Sequence, residues 1–106
     1  MLKSLTLTTV TSLILLMGSA HANDTANNQQ VALMAAACAN CHGTDGKLAG
    51  SIPAIAGRPA VALESQLLAF KQGEIPNTTV MDRIARGYTD DELKALAQYF
   101  ANISRN

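Results

Sequence analysis

The sequence predicts an all-α fold built from about three main helices. Three segments repeat apolar residues at the spacing of an amphipathic helix, and residues that start or stop helices stand at their ends. No segment sustains the alternation of apolar and polar residues that is typical of a half-buried strand. The 106 residues are enough for one small domain.

The first helix is predicted from about residue 28 to residue 40. Its apolar face has members at i, i+3, i+4 and i+7, namely Val31, Met34, Ala35 and Cys38. The preceding stretch, Asn23 to Gln30, is polar and rich in Asn and Gln. We expect that stretch to be a frayed lead-in.

The end of this helix carries the most informative motif of the chain, Cys38-Ala-Asn-Cys41-His42. It holds both cysteines and one of the two histidines. C-x-x-C-H is the attachment sequence of c-type haem, in which each thiol adds to a vinyl group and the imidazole binds the iron. Residues three and four apart share a helix face, so the three side chains can meet one flat ring. The motif predicts one covalent haem c, with thioethers at Cys38 and Cys41 and His42 as an iron ligand.

Three other interpretations of the motif remain open. A redox dithiol usually follows a strand, whereas this pair follows the helical segment 31–37. A structural zinc site normally has four nitrogen or sulfur ligands, and the sequence contains no second cysteine pair. A structural disulfide would leave His42 without a role.

A loop and a second helix follow the motif. Residues 48–57 include Gly50, Pro53 and Gly57, and they are predicted to form a loop that closes over one edge of the haem. The second helix is expected to begin near Pro59 and to stop before Gly73. Its inner face is predicted to consist of Leu63, Leu67 and Phe70.

Two helical segments complete the chain. Residues 74–79 contain a proline and no helical period, so they are expected to be extended, and 81–86 are predicted to form a short turn of helix ended by Gly87. The last helix opens with a capping box, in which Glu92 stands three residues after Thr89. Its buried stripe is predicted to be Leu93, Leu96, Ala97 and Phe100, with Tyr99 and Ile103 beside it.

Methionine opposite histidine is a common ligand pair of cytochromes and raises the reduction potential of the haem. Met34 lies four residues before Cys38 on the same helix face, so it is expected in the core. Met81 lies far enough downstream to pass round the other side of the ring and is predicted to be the second iron ligand. The alternative for Met81 is ordinary gap-filling by a flexible apolar side chain.

Four further residues are candidates for contact with the haem or its ligands. A haem-ligating histidine usually donates its free N–H to a carbonyl, and the carbonyl of Pro53 is the candidate acceptor. Arg83 and Arg86 could neutralise a haem propionate, or they could form a solvated face. Tyr99 could offer its hydroxyl to a propionate, but packing against the first helix is the favoured interpretation.

The N-terminus predicts export. Lys3 is followed by an apolar segment from Leu5 to Met17 and then by Ala20-His21-Ala22, an A-x-A cleavage site. An uncleaved membrane anchor is the alternative, but the apolar segment is shorter than the roughly 17 to 25 residues of a spanning helix. Residues 1–22 are therefore predicted to be a signal peptide, and residues 23–106 a single-haem domain in the periplasm.

The charge balance argues against two classes of partner. Without Lys3, residues 23–106 carry seven basic and eight acidic residues, which gives a net charge of about −1. Nucleic acid or an anionic membrane would normally be met by a basic excess. Redox proteins are the expected partners.

Helices placed in this order around the haem motif and Met81 resemble a class I c-type cytochrome over residues 28–104. The resemblance implies the small cytochrome c fold, in which the first and last helices cross beside the haem. It also implies thioethers at Cys38 and Cys41, with His42 and Met81 as iron ligands. An iron with both of these ligands would be six-coordinate. That argues against a third kind of function, a haem enzyme or gas sensor with an open iron site.

A narrower resemblance involves four stretches: Cys38-Ala-Asn-Cys-His-Gly-Thr-Asp-Gly, Ile52-Pro-Ala-Ile-Ala-Gly57, Phe70-Lys-Gln-Gly73 and Val80-Met-Asp-Arg-Ile-Ala-Arg-Gly-Tyr-Thr-Asp-Asp-Glu-Leu93. They are similar to the haem subunit of flavocytochrome c sulfide dehydrogenase. That resemblance implies a haem chain that takes electrons from a separate FAD-bearing subunit and carries no catalytic residue itself. Many members have two haem domains, whereas this chain has one. A free soluble electron shuttle is the alternative function.

Overall fold

The computed structural model describes the backbone of residues 20–106 and the side chains of residues 27–106. Its helices are α1 (Ala20–His42), α2 (Ala60–Gln72), α3 (Met81–Arg86) and α4 (Asp90–Ala101), with a 3-10 turn at Thr44–Gly46. The described part of the chain contains no strand. The all-α fold predicted from the sequence is confirmed.

The first helix is longer than predicted. Helix α1 begins at Ala20 rather than near residue 28, so the expected frayed lead-in over 23–30 is wrong. The stretch between Ala20 and His42 contains neither Gly nor Pro, so nothing in it breaks a helix. The side chains of residues 27–30 are exposed, and this part of α1 therefore adds length rather than core.

The core lies where α1, α2 and α4 meet. Six buried side chains form it: Ala35 from α1, Leu63 from α2, and Leu93, Leu96, Ala97 and Phe100 from α4. The four α4 members are the stripe predicted from helical spacing, and that prediction is confirmed. Burying each large aliphatic side chain contributes about 1.5 to 3 kcal/mol, so this small cluster is a main source of stability.

The predicted ends of α2 and α3 are confirmed, but the link between these helices is not extended. Gly73 ends α2 in the left-handed conformation. Residues 75–78 then form a turn in which Thr78 Oγ1 donates to Ile75 O at 2.8 Å, and Asn77 has φ 59°. Proline followed by asparagine suits the two central positions of a turn, because asparagine tolerates positive φ. That pair was the overlooked sequence signal.

Helix α4 begins with the predicted capping box. The Glu92 N–H donates to Thr89 Oγ1 at 3.2 Å, and the Thr89 N–H donates to Glu92 Oε2 at 2.8 Å. Each of the two side chains accepts a hydrogen bond from a backbone N–H that would have no acceptor within the first turn of the helix.

Replacing the cap should destabilise the domain measurably. Thr89→Ala removes the acceptor of the Glu92 N–H, and we expect the free energy of unfolding to fall by about 1 kcal/mol. Thr79→Ala is the matched control because Thr79 is exposed and caps no helix. Denaturant titration followed by circular dichroism measures the free energy of unfolding of each variant. Equal free energies of unfolding for the two variants would show that the capping box contributes nothing.

Candidate haem-binding site

The C-x-x-C-H motif occupies the last turn of α1. Cys38 is half-buried and packs against the core, whereas Cys41 is exposed, and both thiols are free. The disulfide interpretation therefore has no support in the structure. A continuous helix through residue 42 places the two cysteines three residues apart on neighbouring positions of one face.

His42 is the one buried polar residue of the described chain, with 8% of its surface exposed. Its Nδ1 lies 2.6 Å from the carbonyl oxygen of Pro53. A carbonyl can only accept, so Nδ1 must carry the hydrogen and donate it. Nε2 then has its lone pair free in the neutral ring, which is the arrangement that a metal-binding imidazole requires.

The backbone beyond His42 folds back to bring Pro53 to the imidazole. The Leu48 N–H donates to His42 O at 2.8 Å, and the N–H groups of Ile55 and Ala56 both donate to Gly46 O. Gly43 has φ 84°, and an added Cβ would lie 2.5 Å from Leu48 Cβ, so a larger residue would disturb this turn. The sequence His42-Gly43 thus allows the chain to reverse directly after the ligand candidate.

The protonation of Cys38 bears on the redox-dithiol interpretation. Burial raises the pKa of the Cys38 thiol above its ordinary value. Reactive dithiols have the opposite property, a lowered pKa that supplies thiolate at neutral pH. The first cysteine of the motif is therefore a poor redox nucleophile, which favours the haem interpretation.

The two methionines of the described chain lie in different surroundings. Met34 packs against the core cluster, as expected from its position on α1. Met81 is the first residue of α3, is half-buried, and is not among the side chains that pack on that cluster. Helix α3 packs on α2, and α2 packs on α4, so Met81 is supported by a different part of the fold from His42.

Four exposed apolar side chains were not predicted as part of the site. Leu48 and Ile52 lie in the loop that supplies Pro53 and are 51% and 40% exposed. Val80 and Ile84 flank Met81 and are 51% and 42% exposed. They are four of the six large apolar side chains that are exposed in the described residues, and the other two, Leu33 and Val61, stand on α1 and α2. Exposed apolar side chains on the segments that carry Pro53 and Met81 are consistent with a ligand-binding surface. Such side chains suit the wide apolar faces of a haem. The two thiols, the imidazole and the thioether suit its vinyl groups and its iron.

The remaining predicted residues divide into surface and core. Arg83 and Arg86 are exposed, and the guanidinium of Arg86 lies 3.8 Å from Asp82 Oδ2. Tyr99 is half-buried, and its ring meets that of Phe100 edge to face with centroids 5.3 Å apart. Tyr99 also lines a groove against α1 with Ala32 and Ala36, which favours packing over contact with a propionate.

Comparison with known proteins identifies the family. Residues 26–104 match the family model described as cytochrome c. This chain belongs to the cytochrome c family. The predicted class I c-type cytochrome is thereby confirmed, together with its cofactor, covalent haem c, and its general function, electron transfer.

Three relatives show where this cytochrome c lies within the family. It is 42% identical over 73 residues to the cytochrome subunit of sulfide dehydrogenase of Chlorobaculum tepidum, covering 69% of this chain and 66% of that protein. It is 44% identical over 71 residues to the thiosulfate dehydrogenase electron acceptor of Stutzerimonas stutzeri, covering 64% of this chain and 33% of that protein. It is 35% identical over 68 residues to cytochrome c-554(548) of Halomonas halodenitrificans, covering 61% of this chain and 82% of that protein.

These matches confirm the resemblance to a sulfide dehydrogenase cytochrome subunit. The matched region spans 66% of the first relative and 33% of the second. Within the described residues, no helix has the length and apolar character needed to cross a membrane.

Proposed function

We propose that this cytochrome c is the haem subunit that accepts electrons from a flavoprotein sulfide dehydrogenase. The observation that carries the proposal is the 42% identity over 73 residues to a subunit of that name. The second relative, an electron acceptor of a thiosulfate dehydrogenase, also takes electrons from the oxidation of a sulfur compound. In this proposal FAD belongs to the partner chain, and sulfide is oxidised there rather than on the cytochrome.

The proposed roles of the site residues follow their chemistry. Cys38 and Cys41 would hold the haem by thioether bonds, and His42 and Met81 would supply the two protein ligands of its iron. The carbonyl of Pro53 fixes the tautomer and orientation of the His42 ring through a bond of 2.6 Å. Arg83 is the better candidate to face a propionate, because Arg86 lies close to Asp82.

When bound, the haem supplies a reversible one-electron couple at its iron. The protein has three tasks: to hold both axial ligands, to exclude water from the ring with apolar side chains, and to leave one edge accessible. Leu48, Ile52, Val80 and Ile84 are placed on the segments that carry the ligand candidates and suit the second task. With both protein ligands bound, the haem would serve electron transfer rather than substrate chemistry.

Periplasmic location is part of the same proposal. Support comes from the predicted signal peptide, of which residues 1–19 lie outside the described part of the chain. Cleavage after Ala22 would leave Asn23 as the first residue. N-terminal sequencing of the holoprotein purified from the periplasm tests it.

The function is tested by size-exclusion chromatography of the native protein with haem and flavin absorbance recorded together. We expect both to elute in one peak above the mass of a single small cytochrome, and sulfide to reduce the haem in that peak. The matched control is the recombinant cytochrome alone, which sulfide should reduce much more slowly. A cytochrome that elutes without flavin, and whose haem is not reduced by a sulfide-oxidising flavoprotein, would contradict the proposal.

A free electron shuttle is the second candidate. It is favoured by the match to cytochrome c-554(548), because this chain covers 82% of that protein. A shuttle should elute as a monomer and bind its partners through a small, transient interface. The same chromatogram therefore separates the two functions.

A further inference from the structure

The end of α4 is joined to the loop that carries Pro53. The Gly57 N–H donates to Phe100 O at 2.8 Å, and the side chain of Arg105 donates from Nε to Ala56 O over a longer 3.4 Å. The last carbonyls of a helix have no partner within the helix, so Phe100 O is available for this bond. Phe100 itself is 3% exposed and fixed in the core, which makes its carbonyl a rigid anchor.

The contact is too close for any side chain at position 57. Gly57 has φ 66°, and a Cβ there would lie 2.7 Å from Arg105 Cγ and 3.1 Å from Ile103 O. Both the left-handed backbone and the close approach require glycine. Residues 103–105 therefore lie close to the backbone of the haem loop at Gly57, leaving no room there for a Cβ unless Arg105 moves.

Hydrogen bonds connect the end of α4 to the residue that holds the His42 ring. The N–H groups of Ile55 and Ala56 are held by Gly46 O at 2.8 and 3.1 Å. The carbonyl that receives the His42 Nδ1 hydrogen bond belongs to Pro53, two residues before Ile55. Residues 55–57 are thus hydrogen-bonded both to Gly46 and to the end of α4, and Pro53 precedes them by two residues. A displacement at Gly57 should be transmitted to Pro53 O.

We propose that residues 100–105 act as a positioning element for His42, setting the length of its hydrogen bond to Pro53 through Gly57. The inference rests on His42 as an iron ligand. A strong bond from Nδ1–H makes the imidazole a better electron donor and stabilises the oxidised iron. Loosening this element weakens that donation and raises the reduction potential.

The test uses the holoprotein with Gly57→Ala, and Gly50→Ala as the matched control. Gly50 lies in the same loop, and nothing lies within 4 Å of a Cβ added there. For Gly57→Ala we expect a higher reduction potential. We also expect the His42 Nδ1–H to exchange roughly two- to tenfold faster by NMR, the factor for losing an ordinary hydrogen bond. Gly50→Ala should match the wild type in both.

A second variant keeps the test valid if Gly57→Ala folds poorly. Arg105→Ala removes the exposed side chain that reaches Ala56 O and should shift both readouts in the same direction by less. Combining it with Gly57→Ala should restore part of the wild-type values, since Arg105 Cγ is the atom nearest the new Cβ. A fall in stability with unchanged potential and exchange would overturn the positioning role. If the wild-type protein has no haem-shifted His42 resonance, the assignment of His42 as an iron ligand is wrong instead.

Discussion

Met81→Ala should abolish the methionine-to-iron charge-transfer band at the red end of the oxidised absorption spectrum and lower the reduction potential. The thioether stabilises reduced iron, so its loss favours the oxidised state. We expect a decrease on the order of 0.1 V, a fraction of the roughly 0.8 V that axial ligands span. Potentiometric titration and the oxidised spectrum of the same sample measure both effects.

Met34→Ala is the matched control for Met81→Ala. Met34 is half-buried against the core, so its removal should reduce the free energy of unfolding by about 1 to 2 kcal/mol, below the range for a fully buried methionine. The charge-transfer band and the potential should stay close to their wild-type values. Loss of the band in Met34→Ala, with the band retained in Met81→Ala, would reverse the assignment of the two methionines.

The double variant Cys38→Ser, Cys41→Ser should lose the covalent haem and most of the fold with it. The domain is small, and its core cluster includes only six buried residues. Chains of this size usually need a covalent link or a bound cofactor in addition to their apolar core. Denaturing mass spectrometry should show the chain without the mass of a haem, and circular dichroism should show a large loss of helix.

Ala37→Ser is the control for that double variant. Ala37 is exposed on the same turn of α1, and the substitution introduces a similar hydroxyl without touching the motif. It should retain the covalent haem and wild-type helix content. A cysteine-free protein that stays fully helical would contradict the view that the haem holds this domain together.

Local signals in the sequence were enough to predict α2 and α4. Gly73 and the Thr89–Glu92 capping box act through their own backbone, so their effect is readable without knowing the fold. The start of α1 could not be predicted in this way, because Asn27 and Asn28 are good N-cap residues, yet the helix runs through both of them from Ala20. Pro76-Asn77 lies in a segment without a helical period, which is equally consistent with an extended segment and with the turn that the structure contains.

The site shows the same division between local and distant information. Cys38, Cys41 and His42 belong to one short motif, and Pro53 was predicted because a ligating histidine needs an acceptor. Leu48, Ile52, Val80 and Ile84 follow no helical period as a group, so their exposure is known only from the structure. The contact of Gly57 with Phe100 and Arg105 joins residues far apart in sequence, and no local pattern indicates it.

Methionine-selective NMR can show whether Met81, together with His42, is a ligand of the haem iron. The reduced holoprotein, labelled with carbon-13 at the methionine methyl groups, should give one methyl signal shifted far upfield by the haem ring current and one at an ordinary position. The shifted signal should disappear in Met81→Leu and persist in Met34→Leu. Two methyl signals at ordinary positions would show that neither methionine lies on the haem and that Met81 is not an iron ligand.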